Sequence, residues 1–232
     1  MELDSQSTKV SLSNVIKGTA AKSFYNRFLI GVLVFITVMI GISIALYEGY
    51  RLDANEISHL DRPGLNPIGF WFFKIGMIGG GICFLPIAYS FLLRMKTISK
   101  VGGVIAGVFY ILSGIGMILI GFFPSYISQF MHVLAAGMGF GSLLLAILIS
   151  TVLVLVKYNQ SKERSILLYG AIFYIPVIAA FLLTIIFAGI PLLISLAEGI
   201  PYGEFIPEGW YSLEWSMLIT GLFSTLGTQQ IF

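Results

Sequence analysis

The sequence has few charged residues and few of the side chains that carry most enzyme chemistry. Only 10% of its 232 residues are charged, against roughly 25% in an ordinary soluble domain, and it has one cysteine and two histidines. The low charge excludes a soluble globular domain, a disordered chain and a nucleic-acid-binding protein. A single cysteine excludes a disulfide scaffold, and two histidines are too few for a bundle that holds two haems between histidine pairs.

Apolar residues take the place of the missing charge. They make up 57% of the chain, and the mean hydropathy is +0.95. A helix needs roughly 20 such residues to cross a hydrocarbon core about 30 Å thick. Six stretches are long enough, and none alternates with the period of two that is typical of strands: 28–47, 68–93, 101–122, 130–156, 166–190 and 213–231. The sequence therefore predicts an all-α integral membrane protein, with a six-helix transmembrane bundle over residues 28–232 behind a cytoplasmic N-terminal tail over residues 1–27.

The charged residues are distributed unequally between the two sides of the predicted spans. Ten of the 13 lysine and arginine residues fall in the N-terminal tail and in the short connections after the second and fourth spans. Eight of the 11 acids fall on the opposite side. Because basic residues are retained on the cytoplasmic side, both termini are expected inside, in a multi-pass protein of the cell membrane.

Two long loops lie on the acidic side, 48–67 and 191–212, and a recognition surface beyond the bilayer is expected there. The first holds one histidine and three acids that could approach a metal ion: His59, Asp53, Glu56 and Asp61. Their spacing matches no ligand motif, so the sequence predicts no metal site and indicates no cofactor.

Small residues recur four apart within the spans, a spacing that lets helices approach closely. The pairs are Gly76–Gly80, Gly103–Gly107, Gly137–Gly141 and Ala135–Gly139. We interpret them as packing contacts within one chain rather than as a dimerisation face.

Three ionisable side chains lie within or at the start of a span, where charge is costly: Lys74, His132 and Glu214. Their depths from the acidic side are similar; Lys74, for example, lies about 9 Å into its span at 1.5 Å per residue. The residues three, four, seven and ten positions after His132 are all small: Ala135, Ala136, Gly139 and Ser142. His132 therefore shares a small-residue face that is directed into the bundle. We expect the three side chains to converge in one place.

Two interpretations of this cluster stay open. It is either a buried polar clasp that fixes three helices, or an outward-facing pocket for a lipid headgroup or a small solute. In the pocket, His132 would be the catalytic candidate, acting as acid or base near neutral pH. Four aromatic residues would form the rim of the pocket, although such residues are also common at membrane interfaces: Tyr126, Tyr211, Trp210 and Trp71.

The order of several motif residues is also informative. Asn66 and Pro67 open the second span, the segment Gly116–Pro124 ends the third, and His132 begins the fourth. This arrangement resembles a family of prokaryotic six-helix membrane proteins classified as domain of unknown function 998, whose layout is similar to that of the DRAM and Frag proteins. The resemblance covers about residues 25–230 and carries over to six positions: Asn66, Pro67, Gly116, Gly121, Pro124 and His132.

The resemblance adds Asn66 to the candidate binding residues and implies no established activity. Members of that family often carry a Glu-Arg pair near the last span, whereas Glu214 is followed here by Trp215.

Three functions are compatible with these features. The leading hypothesis is a non-enzymatic, lipid-contacting accessory or assembly protein, with membrane lipids and another membrane protein as partners and no nucleic acid. The second is a lipid-modifying or headgroup-hydrolysing enzyme that uses His132 with an outer carboxylate, and the third is a small-solute transporter. The scarcity of nucleophiles and metal ligands near His132 favours the first, and the scarcity of ionisable residues at the bilayer midplane disfavours a proton-coupled transporter.

Overall fold

The computed structural model describes residues 11–52, 54–184, 186 and 210–232, and within these the chain is helical and holds no strand. A π-helical turn, Gly137–Gly141, joins two of the helices into one continuous helix, and a short 3-10 helix, Ile57–Asp61, lies in the first long loop. The α-helices of these residues are α1 (Leu12–Ile16), α2 (Lys22–Ala45), α3 (Gly69–Met95), α4 (Lys100–Phe122), α5 (Gln129–Ala136), α6 (Ser142–Ser161), α7 (Arg164–Thr184) and α8 (Trp210–Ile231).

A helix covers each predicted span in whole or in part, although the ends differ. α2 begins at Lys22, six residues before the predicted start, because the polar residues ahead of Phe28 continue the same helix. Among the described helices, α2, α3, α4 and the continuous helix Gln129–Ser161 are long and apolar enough to cross a bilayer. α7 contributes a shorter apolar stretch, Arg164–Ala180. The architecture is that of an all-helical membrane protein.

Successive long helices run antiparallel, and this sorts the helix ends into two groups. The start of α4 lies against the end of α3, where Gly103 meets the backbone of Met95. The start of α2 meets the end of α8, where Lys22 Nζ donates to the carbonyl of Gln230 at 2.9 Å. We name the end at which α2, α4 and α7 begin the basic end, and the opposite end, which carries the 3-10 helix and the α4–α5 connection, the loop end.

The segment ahead of α2 folds onto the basic end. Ser11 caps α1 through its side-chain oxygen, and the hydroxyl of Tyr25 donates to the carbonyl of Val15 at 2.7 Å. Gly18 has a φ of +70°, a conformation that favours glycine, and lies against α3. This part of the predicted tail is therefore ordered against the bundle, whereas the first ten residues lie outside the described part of the chain.

Most of the predicted small-residue pairs are helix contacts within the chain. Gly76 and Gly80 pack against α2, while Gly103 and Gly107 pack against the last turns of α3. A methyl group at Gly103 would meet the α3 backbone rather than a flexible side chain. These two pairs are confirmed as packing positions.

The prediction was wrong for the pair Gly137–Gly141. A methyl group at either position would meet nothing within 4 Å. The residue between them, Gly139, faces the interior and packs against Gly116 of α4, and Ala135 is buried with it. Gly137 and Gly141 stand two positions from Gly139, on the opposite side of the helix, so both pairs could not face the bundle at once.

A buried polar network connects α4, α7 and α8. The hydroxyls of Tyr110 and Tyr174 lie 2.7 and 2.9 Å from the hydroxyl of Thr228, which in turn donates to the carbonyl of Ser224 at 3.1 Å. All of these side chains are buried. The network satisfies groups that would otherwise be unpaired in an apolar interior, and the pattern of the sequence did not predict it.

Candidate functional site

Three short elements at the loop end bring polar side chains together. The 3-10 helix Ile57–Asp61 ends on an acid, and the α4–α5 connection begins with Pro124 and Ser125. α5 then starts at Gln129, capped by the preceding serine, and places His132 in its first turns on the buried face. The site is therefore built from an acid of one loop, a serine of another and a histidine of a helix.

Asp61 is the centre of this cluster. Its side chain is fully buried, and one carboxylate oxygen accepts the hydroxyl of Ser125 at 3.0 Å while the other accepts the Ser125 backbone N–H at 3.1 Å. Arg62 donates its Nε–H to the Ser125 hydroxyl oxygen at 3.2 Å. A buried carboxylate is tolerated only when it is hydrogen-bonded, and here one residue supplies two of the bonds.

His132 packs beside the carboxylate with 8% of its surface exposed. Its Nδ1 lies 3.0 Å from the carbonyl of Phe123 and 3.5 Å from Oδ2 of Asp61. Because a carbonyl only accepts, Nδ1 must carry the hydrogen, which makes Nε2 the proton acceptor of the neutral ring. In the described part of the chain, Nε2 has no hydrogen-bond partner.

Burial sets the acidity of the two titratable groups of the first loop. Burial raises the pKa of Asp61 above its ordinary value of 3.8, against the opposing effects of the Ser125 hydrogen bonds and of the neighbouring charges of His132 and Arg62. Burial lowers the pKa of His59, which lies 4.0 Å from Glu56 at the start of the 3-10 helix. Both shifts favour the neutral form of the side chain.

The hydrogen-bond directions decide what the cluster can do chemically. In serine hydrolases the hydroxyl is bonded to the histidine that removes its proton. Here the hydroxyl of Ser125 donates to Asp61 instead, so the serine is held as a structural donor. The arrangement fixes one tautomer of His132 and leaves a single ring nitrogen available for a ligand.

Among the described residues, no group of three histidine, cysteine or acidic side chains lies close enough to hold a metal ion.

Lys74, the first predicted site residue, is half-buried in α3 with its ammonium 5.4 Å from the ring centroid of Trp71. The backbone carbonyl of Lys74 lies beside Gly121 of α4. Gly121 is two residues before Phe123, whose carbonyl accepts the hydrogen bond of His132. Lys74 and His132 therefore lie near the same end of α4. The charged neighbour of His132 in the structure is Asp61. The side chains of Glu214 and Trp210 lie outside the described residues, and the predicted convergence with Glu214 stays a prediction.

Asn66 lies at a buried junction between elements. Its amide nitrogen lies 3.1 Å from both the carbonyl and the hydroxyl oxygen of Ser43, and 3.4 Å from the carbonyl of Leu60. It thereby ties the end of α2 and the 3-10 helix to the start of α3. Tyr126, by contrast, is 48% exposed and follows Ser125 in the chain. Its place in an aromatic rim stays a prediction.

Sequence reasoning did not include Asp61, Ser125 or Arg62 in the site. Asp61 was considered only as a metal ligand of its own loop. A signal was nevertheless present: an acid in a long loop and a serine directly after Pro124 both lie on the predicted outer side, where His132 also begins its span.

No curated protein and no solved structure matches the chain. The family model described as "Protein of unknown function (DUF998)" matches residues 29–203, about three quarters of the chain, including Asp61, Ser125 and His132. The chain therefore belongs to the DUF998 family of proteins of unknown function.

Proposed function

We propose that this protein is a non-enzymatic, lipid-contacting accessory protein of the cell membrane, with six spans and both termini inside. Its loop end would bind a lipid headgroup in a polar pocket centred on His132. The pocket would combine Arg62 and Lys74 with the predicted residue Glu214. Membrane lipids and a second membrane protein are its proposed partners.

The observation that carries this proposal is the fixed state of His132. Its Nδ1–H is directed at the carbonyl of Phe123 beside Asp61, while Nε2 has no partner among the described residues. Nε2 of this tautomer accepts a hydrogen bond, so it would bind a donor of the ligand, such as a headgroup hydroxyl. Arg62 and Lys74 supply positive charge near the same end of α4, which suits an anionic headgroup.

Binding is favoured over catalysis because the serine hydroxyl of the cluster is not activated. Ser125 donates to Asp61 and accepts from Arg62, so its oxygen already makes two hydrogen bonds. A nucleophilic role would require these bonds to break and the serine to turn towards His132.

The two histidines offer a matched test. We expect the protein, extracted in mild detergent and examined by native mass spectrometry, to retain a lipid adduct that is lost in the variant His132→Gln. The variant His59→Gln removes the other histidine of the same end and should retain the adduct. Equal retention by both variants would contradict a headgroup pocket at His132.

A second function, headgroup hydrolysis, is favoured by one observation. A histidine with Nδ1–H held in place beside a carboxylate and with a free Nε2 has the orientation of a general base acting on water. Incubation with mixed phospholipid vesicles, followed by phosphate and headgroup analysis, separates the two functions. Product release by the wild-type protein that disappears in His132→Gln would establish the enzyme and overturn the non-enzymatic proposal.

A further inference from the structure

A wide apolar groove runs between α2 and α8 on the outer surface of the bundle. Its volume is about 470 Å³, within the range of small-molecule sites, and its walls are apolar apart from one threonine. On each side its residues are largely uncovered: Val34 is 56% exposed and Phe223 is 58% exposed. The lining residues are Ile30, Leu33, Val34, Thr37, Val38, Ile219, Phe223 and Leu226.

Three cations gather where this seam reaches the basic end. Lys22 Nζ donates to the carbonyl of Gln230, and Lys157 Nζ donates to the carbonyl of the next residue. Arg94 lies over the ring of Tyr25, 5.5 Å from its centroid, and the charges of Lys157 and Arg94 both repel that of Lys22. Within the described ranges, no aspartate or glutamate lies within 4 Å of any of the three.

The hydrogen bonds of this cluster are incomplete. The two lysines cap the last carbonyls of α8, a normal role for cations at a helix C-terminus, but each ammonium has two further donors. The Nη1 group of Arg94 is buried and has no partner among the described residues, and the same holds for the side-chain oxygen of Asn26. The charge of Glu163 acts on Lys157, but the described residues here still carry a surplus of positive charge. Together with the unfilled guanidinium donor of Arg94, this surplus favours an anion at this place.

Of the three cations, Lys22 is the one on α2, and it lies in line with the edge of the groove. Lys22 and Leu33 are eleven residues apart, which is close to three full turns, and Asn26 lies one turn from Lys22 in the same direction. The groove begins at Ile30, about 12 Å from Lys22 along the helix axis, and its α2 wall continues for about another 12 Å. A polar anchor at the membrane interface followed by an apolar channel is the layout of a phospholipid.

We propose that the seam between α2 and α8 binds one anionic phospholipid, with its phosphate on Lys22, Lys157 and Arg94 and an acyl chain in the groove. The proposal concerns the basic end and does not depend on the pocket at His132. The surplus of positive charge selects an anionic headgroup over a zwitterionic one, and the length of the groove selects a lipid over a free anion.

The test compares matched charge variants in nanodiscs of phosphatidylcholine with and without phosphatidylglycerol. Native mass spectrometry should show one phosphatidylglycerol retained by the wild-type protein and bound about fivefold more weakly by Lys22→Gln, the effect expected for one interfacial cation. Lys96→Gln removes an exposed cation at the same end but away from the seam, and it should bind like the wild-type protein.

A second variant tests the groove separately from the charges. Val34→Trp fills the channel at an exposed position, so the fold should survive while lipid retention falls. Equal weakening by Lys22→Gln and Lys96→Gln would show general surface charge and overturn the proposal. Retention of phosphatidylcholine equal to that of phosphatidylglycerol would overturn it as well. So would inorganic phosphate that stabilises the protein as much as phosphatidylglycerol does.

Discussion

The contact between Gly116 of α4 and Gly139 is asymmetric, and the asymmetry leads to a sharp prediction. A methyl group at Gly116 would point into the backbone of Gly139 and come within 2.8 Å of the carbonyl carbon of Met138. A methyl group at Gly139 would meet Ile120 at 3.4 Å and the backbone of Gly116 at 3.5 Å, which is ordinary van der Waals contact. Two glycines that face each other should therefore respond differently to the same substitution.

The expected magnitudes follow from that geometry. Overpacking against backbone costs about 1–3 kcal/mol, because the two helices must move apart. The better helix propensity of alanine offsets up to about 1 kcal/mol of this cost. The variant Gly116→Ala should therefore lose about 1–2 kcal/mol, which lowers the melting temperature by roughly 2–8 °C for a chain of this size. The variant Gly139→Ala keeps the propensity gain and should match or slightly exceed the wild-type melting temperature.

The assay is thermal unfolding of detergent-solubilised protein, followed by tryptophan fluorescence and by loss of the monodisperse peak. Gly137→Ala, at a glycine with nothing within 4 Å, controls for helix propensity alone. Equal melting temperatures for Gly116→Ala and Gly139→Ala would refute the close approach of α4 to this helix. The same displacement should also disturb the contact between His132 and the α4 terminus.

Three further predictions concern a titration, a buried network and the orientation of the chain. Burial raises the pKa of Asp61, so the stabilising contribution of this residue is complete below the ordinary value of 3.8 and is lost as pH rises through the raised pKa. Over that pH window, the melting temperature of the wild-type protein should fall more than that of the variant Asp61→Asn. Parallel profiles of melting temperature against pH would contradict this. The variant Thr228→Val removes a hydrogen-bond partner of two buried tyrosine hydroxyls and should destabilise the fold by about 1–3 kcal/mol in a chemical or thermal melt. The control variant Thr151→Val loses only a hydrogen bond within its own helix and should destabilise the fold less. In a cysteine-free background, single cysteines at Ser5 and Ser212 should react with an impermeant thiol reagent from opposite sides of the membrane, and labelling of both from one side would exclude the proposed topology.

Length and periodicity were sufficient to predict the helices and the buried face of one of them. Where the structure describes them, the long apolar runs lie on helices, because such a run has no other way to satisfy its backbone in lipid. The small-residue steps from His132 also predicted its buried side correctly, since Ala135, Gly139 and Ser142 are buried with it. The start of α2 was missed because a polar stretch carries no apolar signal even when it continues a helix.

The partner of His132 could not be read from the sequence. Asp61 reaches it from a loop some 70 residues earlier, and that contact depends on how the loop folds over the end of α4. The stacking of Lys74 on Trp71 is local by comparison, because residues three apart share a helix face. Local geometry is encoded in spacing, whereas contacts between loops depend on the packing of the whole bundle.

The continuous helix Gln129–Ser161 is longer than the hydrocarbon layer is thick. Its 33 residues extend about 50 Å, against about 30 Å for the hydrocarbon. With Lys157 held at the interface of the basic end, about 20 residues reach the opposite interface near Gly137, and α5 projects beyond it into the headgroup layer. His132 then lies level with the headgroup layer, and a headgroup can meet its ring without entering the hydrocarbon.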